Sequence, residues 1–129
     1  NARPLSIEGI CAISDLDIRT LQELENLGPF GQGNPEPVFS FKASVRTRQI
    51  LKGRHLKLGL TAPKDPGAPS SVRTPTIEAI WFNAAERAET LEDSFLHSDA
   101  EWAGVPELNR FRGQVTPTLR VRDWHKLNQ

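Results

Sequence analysis

The chain has 129 residues, with 16 Lys/Arg against 16 Asp/Glu, and is formally neutral. With 37% apolar and 25% charged residues it has the material for one core and a soluble surface, so a single domain is expected. No apolar run approaches the roughly 18 residues of a membrane span and no signal peptide opens the chain; the single cysteine, Cys11, excludes a disulfide framework and a multi-cysteine zinc site. A reducing interior, the cytoplasm, is the expected location, with no membrane partner. A chain that opens on Asn1 and holds no methionine is expected to be a piece of a longer protein.

Residues 4–13 read as a short extended segment. Ser14 is the predicted N-cap of a helix over residues 15–27, with Asp15 and Asp17 at its positive end. Leu16, Ile18, Leu21, Leu24 and Leu27 mark its buried face. Gly28 suits the left-handed C-terminal position and Pro29 stops the helix. From residue 38 the period changes to two. Phe39, Phe41, Ala43 and Val45 are predicted inward, and Ser40, Lys42, Ser44, Arg46 and Arg48 outward, over a strand at residues 38–48.

A turn at Lys52-Gly53 leads to a second strand at 55–60, with Leu56, Leu58 and Leu60 inward and His55 and Lys57 outward; the two runs form a hairpin. Prolines and Gly67 make residues 62–76 a loop. Residues 76–82 are a third strand, followed by a helical turn over 84–91. Strands at 100–109 and 118–124 complete the set; in the last, Leu119 and Val121 oppose Arg120, Arg122 and Trp124. Five strands, one helix ahead of them and no βαβ rhythm predict a mainly β fold: a small five-stranded OB-type barrel preceded by an N-terminal connecting helix.

Charge is segregated along the chain. Residues 1–37 hold six acids and two bases, residues 38–64 seven bases and no acid. Residues 86–107 hold seven acids against Arg87, and residues 110–126 five bases against Asp123. Two basic blocks can converge into one footprint for phosphates; the alternative is a solvated surface of mixed charge.

The run Leu27-Gly28-Pro29-Phe30-Gly31-Gln32-Gly33-Asn34-Pro35-Glu36-Pro37-Val38-Phe39 resembles the linker that precedes the OB domain in the RecJ family of DHH-type, single-strand-specific exonucleases. His55-Leu56-Lys57-Leu58, Ala79-Ile80-Trp81-Phe82-Asn83, the stretch from Glu107 to Gly113 and the closing strand to Trp124 are similar to family features in the same order. Two departures are a longer Pro-rich loop at 62–76 and Trp81 where the family often has a small residue. The resemblance implies residues 1–14 as the tail of a preceding domain, 15–37 as connecting helix and Gly/Pro linker, and 38–129 as the OB-fold domain. It also implies a 5′–3′ exonuclease parent acting in DNA repair and recombination. The parent's metal-dependent hydrolysis, with manganese or magnesium, would reside in catalytic domains absent from this chain.

On residue chemistry, Gly31 and Gly33 with two X-Pro bonds set how the helix enters the barrel; a backbone cradle for phosphate is the alternative. Arg46, Arg48, Lys52, Arg54 and Lys57 are the candidate phosphate ligands, with Arg110 and Arg112 from the later block. Trp81 and Trp124 are candidate stacking rings if they face outward, with core packing as the alternative. His55 is placed either as a phosphate donor or as a structural surface residue.

Neither a catalytic centre nor a cofactor is expected in this fragment: His55, His97 and His125 form no metal-ligand spacing, and no nucleophile elbow or Walker loop occurs. The acids at 86–107 read as a solvated face, with divalent-metal binding as the alternative. The expected partners are single-stranded DNA and the catalytic domains of the same parent chain. The rival function is a docking module that braces the nuclease core or recruits the single-strand-binding protein.

Overall fold

The computed structural model describes residues 10–27, 36–63, 67, 75–89 and 99–126. The Gly/Pro run from Gly28 to Pro35, most of the loop at 62–76 and the acidic residues 90–98 with His97 lie outside them.

Ile10–Cys11 forms β1, and a 3-10 turn at Ile13–Asp15 leads into α1, at Ile18–Glu25, the one α-helix among the described residues. Ser14 lies inside the 3-10 turn, and the cap is Asp17, whose carboxylate accepts from the Thr20 N–H at 2.8 Å. That hydrogen bond holds the Asp17 carboxyl below its ordinary range. Only part of the predicted helical stripe is covered: Leu16 and Leu21 are buried and Leu24 partly so, whereas Ile18 and Leu27 are exposed. A helix this short, resting on one end of a barrel, presents little more than one turn to the core.

Five strands close the barrel: β2 (Phe39–Leu51), β3 (His55–Thr61), β4 (Thr76–Trp81), β5 (Asp99–Phe111) and β6 (Gln114–Lys126). They are ordered β2-β3-β4-β6-β5, and β5 returns to β2. All pairs are antiparallel except β4 with β6. This is the OB architecture. The first half of β2 pairs with β5 and the second half with β3, and β1 lies parallel to β2 at Ser40 and Phe41.

The core is built by alternation. Phe41, Ala43 and Val45 meet Leu56, Leu58 and Leu60, then Ile77, Ala79 and Trp81, and Leu119 and Val121. At the centre, Trp102 is fully buried, edge-on to Trp81 at 6.2 Å and stacked with Trp124 at 6.0 Å.

Two bulges break the period of two. Between Val45 and Thr47, β2 advances two residues while β3 advances one, so Arg46 is the extra residue. The pairs Ala103–Asp123 and Gly104–Val121 make Arg122 the extra residue of β6. Each bulge moves the residues beyond it to the opposite face from simple alternation. Arg48 therefore lies opposite buried Leu58, not outward beside Arg46, and Trp124 lies opposite buried Trp102, not outward with Arg120. Ser44, expected outward, is buried as well, and its hydroxyl donates to Asp99 Oδ1.

Both barrel hairpins turn on a basic residue followed by glycine. Lys52 and Gly53 have φ of 53° and 67°, and Arg112 and Gly113 have φ of 52° and 79°. Two consecutive left-handed residues make a type I′ turn, whose twist matches the strands it joins. The Arg54 N–H donates to the Leu51 carbonyl at 3.0 Å and closes the first turn.

Candidate nucleic-acid interface

The first basic block is displayed on β2, its hairpin and β3. Arg46 projects at the bulge, and Lys52 and Arg54 flank the turn glycine; all three are exposed and form no ion pair among the described residues. Arg48, on the face of Leu58, is half-buried. Gln49 and Lys57 are opposite one another on the outer face, and the Lys57 ammonium lies 3.8 Å from Glu78 on β4. That distance between half-exposed side chains is a loose pair, worth at most about 1 kcal/mol.

His55 opens β3 in a fixed position. Its Nδ1 accepts the Asn83 backbone N–H at 3.0 Å, and its ring meets Phe82 edge-on at 5.0 Å and 72°. The hydrogen bond assigns the neutral ring's proton to Nε2. Phe82 is itself 52% exposed. Sequence reasoning passed over it, although the alternation Ile77, Ala79, Trp81 against Glu78, Ile80, Phe82 already puts Phe82 on the side of a charged residue. Ile80, Phe82, Asn109, Thr118 and Arg120 line a shallow outer groove of about 200 Å³ together with Glu78.

The second basic block does not merge with the first. Arg110 grips Glu25 of α1 with both ends of its guanidinium, at 2.9 and 3.0 Å, which draws the Glu25 carboxyl down and the guanidinium up. Arg120 donates to Glu107 at 3.0 and 2.8 Å and to Glu36, and Arg122 reaches Glu36 at 3.3 Å. Glu36 is held below its ordinary range, chiefly by the Arg120 hydrogen bond. Arg112 is exposed, with its guanidinium 5.0 Å from the ring centre of Phe111. The Arg112 tip extends beyond the Thr76 end of β4, whereas Lys52 and Arg54 lie near its Trp81 end. Of the later block, then, Arg110 is committed to α1 and Arg112 stands apart.

The tryptophans are placed by the core. Trp81 is 7% exposed and is not an outward ring; the Arg87 guanidinium sits 4.7 Å from its ring centre. Trp124 is half-buried with one face on Trp102. Among the described residues no group of three His, Cys, Asp or Glu side chains could hold a metal ion.

Residues 7–123 match the family model of the RecJ OB domain. This chain belongs to that family. It is 29% identical over 116 residues to the single-stranded-DNA-specific exonuclease RecJ of Dickeya dadantii, a match covering 88% of this chain and 18% of that protein. The chain thus spans about a fifth of the curated relative's length.

Among solved structures it superposes on Thermus thermophilus RecJ, determined in complex with Mg2+, with TM-score 0.56 and 21% identity; 93% of this chain and 16% of that one are covered. Rim1, a mitochondrial single-stranded DNA binding protein of S. cerevisiae, superposes with TM-score 0.52 and 15% identity over 73% of this chain and 98% of its own. At these identities the structural likenesses speak for the fold alone, and they agree with the closed barrel. Within this RecJ OB domain Arg46, Lys52 and Arg54, which form no ion pair among the described residues, sit beside the β3–β4 face.

Proposed function

We propose that this chain is the single-strand DNA-binding module of a RecJ-like 5′–3′ exonuclease of repair and recombination, whose catalytic domains lie elsewhere in the parent chain. The observation that carries this reading is the placement of Arg46, Lys52 and Arg54, free of ion pairs among the described residues, along one hairpin beside the outer face of β3 and β4. Cations in that position can track a phosphate backbone while the face between the hairpins receives bases, the surface that OB barrels offer to oligonucleotides. The module would hold the strand, and the parent's catalytic domains, with magnesium or manganese, would cut it.

The test is fluorescence anisotropy of the chain with labelled single-stranded and duplex oligonucleotides over a salt series. Single strands should bind preferentially, and more weakly as salt rises. Each phosphate contact removed by Arg46→Ala, Lys52→Ala or Arg54→Ala should shallow the slope of log K against log salt by about 0.7. Arg110→Ala, which loses a bond to α1, should leave that slope unchanged. A folded chain that binds no single strand at low salt overturns the reading.

A second reading, a brace for the catalytic domains of the same parent chain, is favoured by the groove of about 340 Å³ between α1 and the barrel. Leu24, Leu27 and Phe39 line it, and Leu27 is 62% exposed. Protection of Leu27 from hydrogen exchange in the full-length parent, relative to this chain alone, would support that role.

A further inference from the structure

We propose that Phe82, held against His55, is a stacking platform for one unpaired base. This inference rests on the single-strand binding proposed above and adds to it a residue that reads the base and not the phosphate. Phe82 follows β4 directly, where Trp81 turns into the core and Phe82 turns out to solvent with half its surface exposed.

The local backbone keeps it outside. Asn83 adopts φ of 57°, a left-handed conformation that costs most residues energy but that Asn tolerates, and its N–H is bonded to His55 Nδ1. The imidazole is fixed by that bond, and the edge-on contact at 5.0 Å fixes Phe82 against the imidazole. An edge-on pair leaves ring surface open for a third aromatic, and a nucleobase offers the flat face that fits it. A ring already held in place loses little conformational freedom when a base lands on it.

The surroundings suit a nucleotide. Lys52 and Arg54 lie in the turn just before His55, and Lys57 follows two residues later on the same face, so cations flank the ring pair where the adjoining phosphates would run. The shallow groove continues from Phe82 past Ile80 to Asn109, Thr118 and Arg120, with Glu78 and Glu107 also on its walls. Aromatic rings set among cations are the pattern by which single strands are held without regard to sequence.

The experiment compares the 129-residue chain with its Phe82→Ala, Phe82→Leu and Phe82→Trp variants, binding labelled oligo-dT and an abasic strand of equal length. Loss of one stacked base should weaken oligo-dT binding by about 5- to 100-fold in the Ala and Leu variants, with the salt slope and abasic affinity unchanged. Phe82→Trp should bind oligo-dT at least as tightly as the unsubstituted 129-residue chain. Phe82→Leu keeps apolar bulk at this exposed site, so it separates loss of the ring from loss of folding. Oligo-dT binding unchanged in both the Ala and Leu variants, or an equal loss on both ligands, removes the stacking role and leaves single-strand binding standing. Failure of the unsubstituted 129-residue chain to bind oligo-dT overturns both.

Discussion

Two glycines on the barrel wall show how much depends on what a single side chain would meet. A Cβ on Gly104 would fall 2.5 Å from the backbone carbonyl oxygen of Arg120, across the β5–β6 pair at the Arg122 bulge. A Cβ on Gly59 would fall 2.6 Å from the Thr47 hydroxyl. The first obstacle is backbone inside a hydrogen-bonded ladder and cannot step aside, whereas the second is the end of a side chain that can rotate. Gly104→Ala is therefore expected to destabilise by about 1–3 kcal/mol and Gly59→Ala by less, measured as a shift in the urea midpoint at constant m. Equal shifts would show that the β5–β6 ladder is looser than its geometry implies. The same scale explains Trp81: in a barrel this small, a bulky ring on the inward side of β4 has one place to go, against Trp102.

At the scale of elements, the two hairpins and the two bulges do most of the positioning. Each hairpin tip holds a basic residue in a left-handed conformation, where Asn or Gly is the ordinary choice. Such a residue carries about 1–2 kcal/mol of backbone strain. Lys52→Asn is expected to raise the melting temperature slightly while weakening single-strand binding, and Arg112→Asn to raise it by a similar amount with a smaller effect on binding. Melting curves and anisotropy on the same samples check this; a fall in stability for both variants would mean the turns are held by the cations themselves.

The hairpins were legible in the sequence in part. Lys52-Gly53 stood between two alternating runs, whereas the tip at Arg112-Gly113 lies in a stretch, residues 110–117, that carries Pro117 and a mixed pattern and gave no clear period. The bulges were not legible, because an extra residue leaves no mark in composition. That is why simple alternation places Arg48 and Trp124, both beyond a bulge, on the opposite face from the one they take, while it places Arg46, Leu56, Leu58 and Leu119 on their own.

Across the whole molecule, the segment before the barrel is tied to β5 and β6 by carboxylates. Glu25 takes Arg110, and Glu36 takes Arg120 and Arg122, so three arginines of the later basic block are engaged by the chain's own acids. Because Glu36 titrates below its ordinary value when folded, its contribution is complete above about pH 4.3, the unfolded value, and is lost as pH falls through the lower folded one. Thermal melts of the unsubstituted chain and its Glu36→Gln variant should differ most near neutral pH and converge in acid. A difference that stays constant with pH would mean that Glu36 acts by packing and not by charge.

The sequence by itself determined the class of fold, the inward faces of most strands, the hairpin at Lys52-Gly53 and the family likeness carried by the Gly/Pro run. These depend on periods and turn chemistry that neighbours in the chain impose on one another. Only the tertiary structure decided which cations remain unpaired, which tryptophans are buried, and that Phe82 and His55 meet. Arg110 and Glu25, or Arg120 and Glu36, are brought together by barrel closure over more than 80 residues of chain, and the first of these pairs engages a phosphate candidate, Arg110, with an acid of the same chain. Charge counted along a chain is additive, but the charge a surface offers to DNA is what remains after folding has paired the rest.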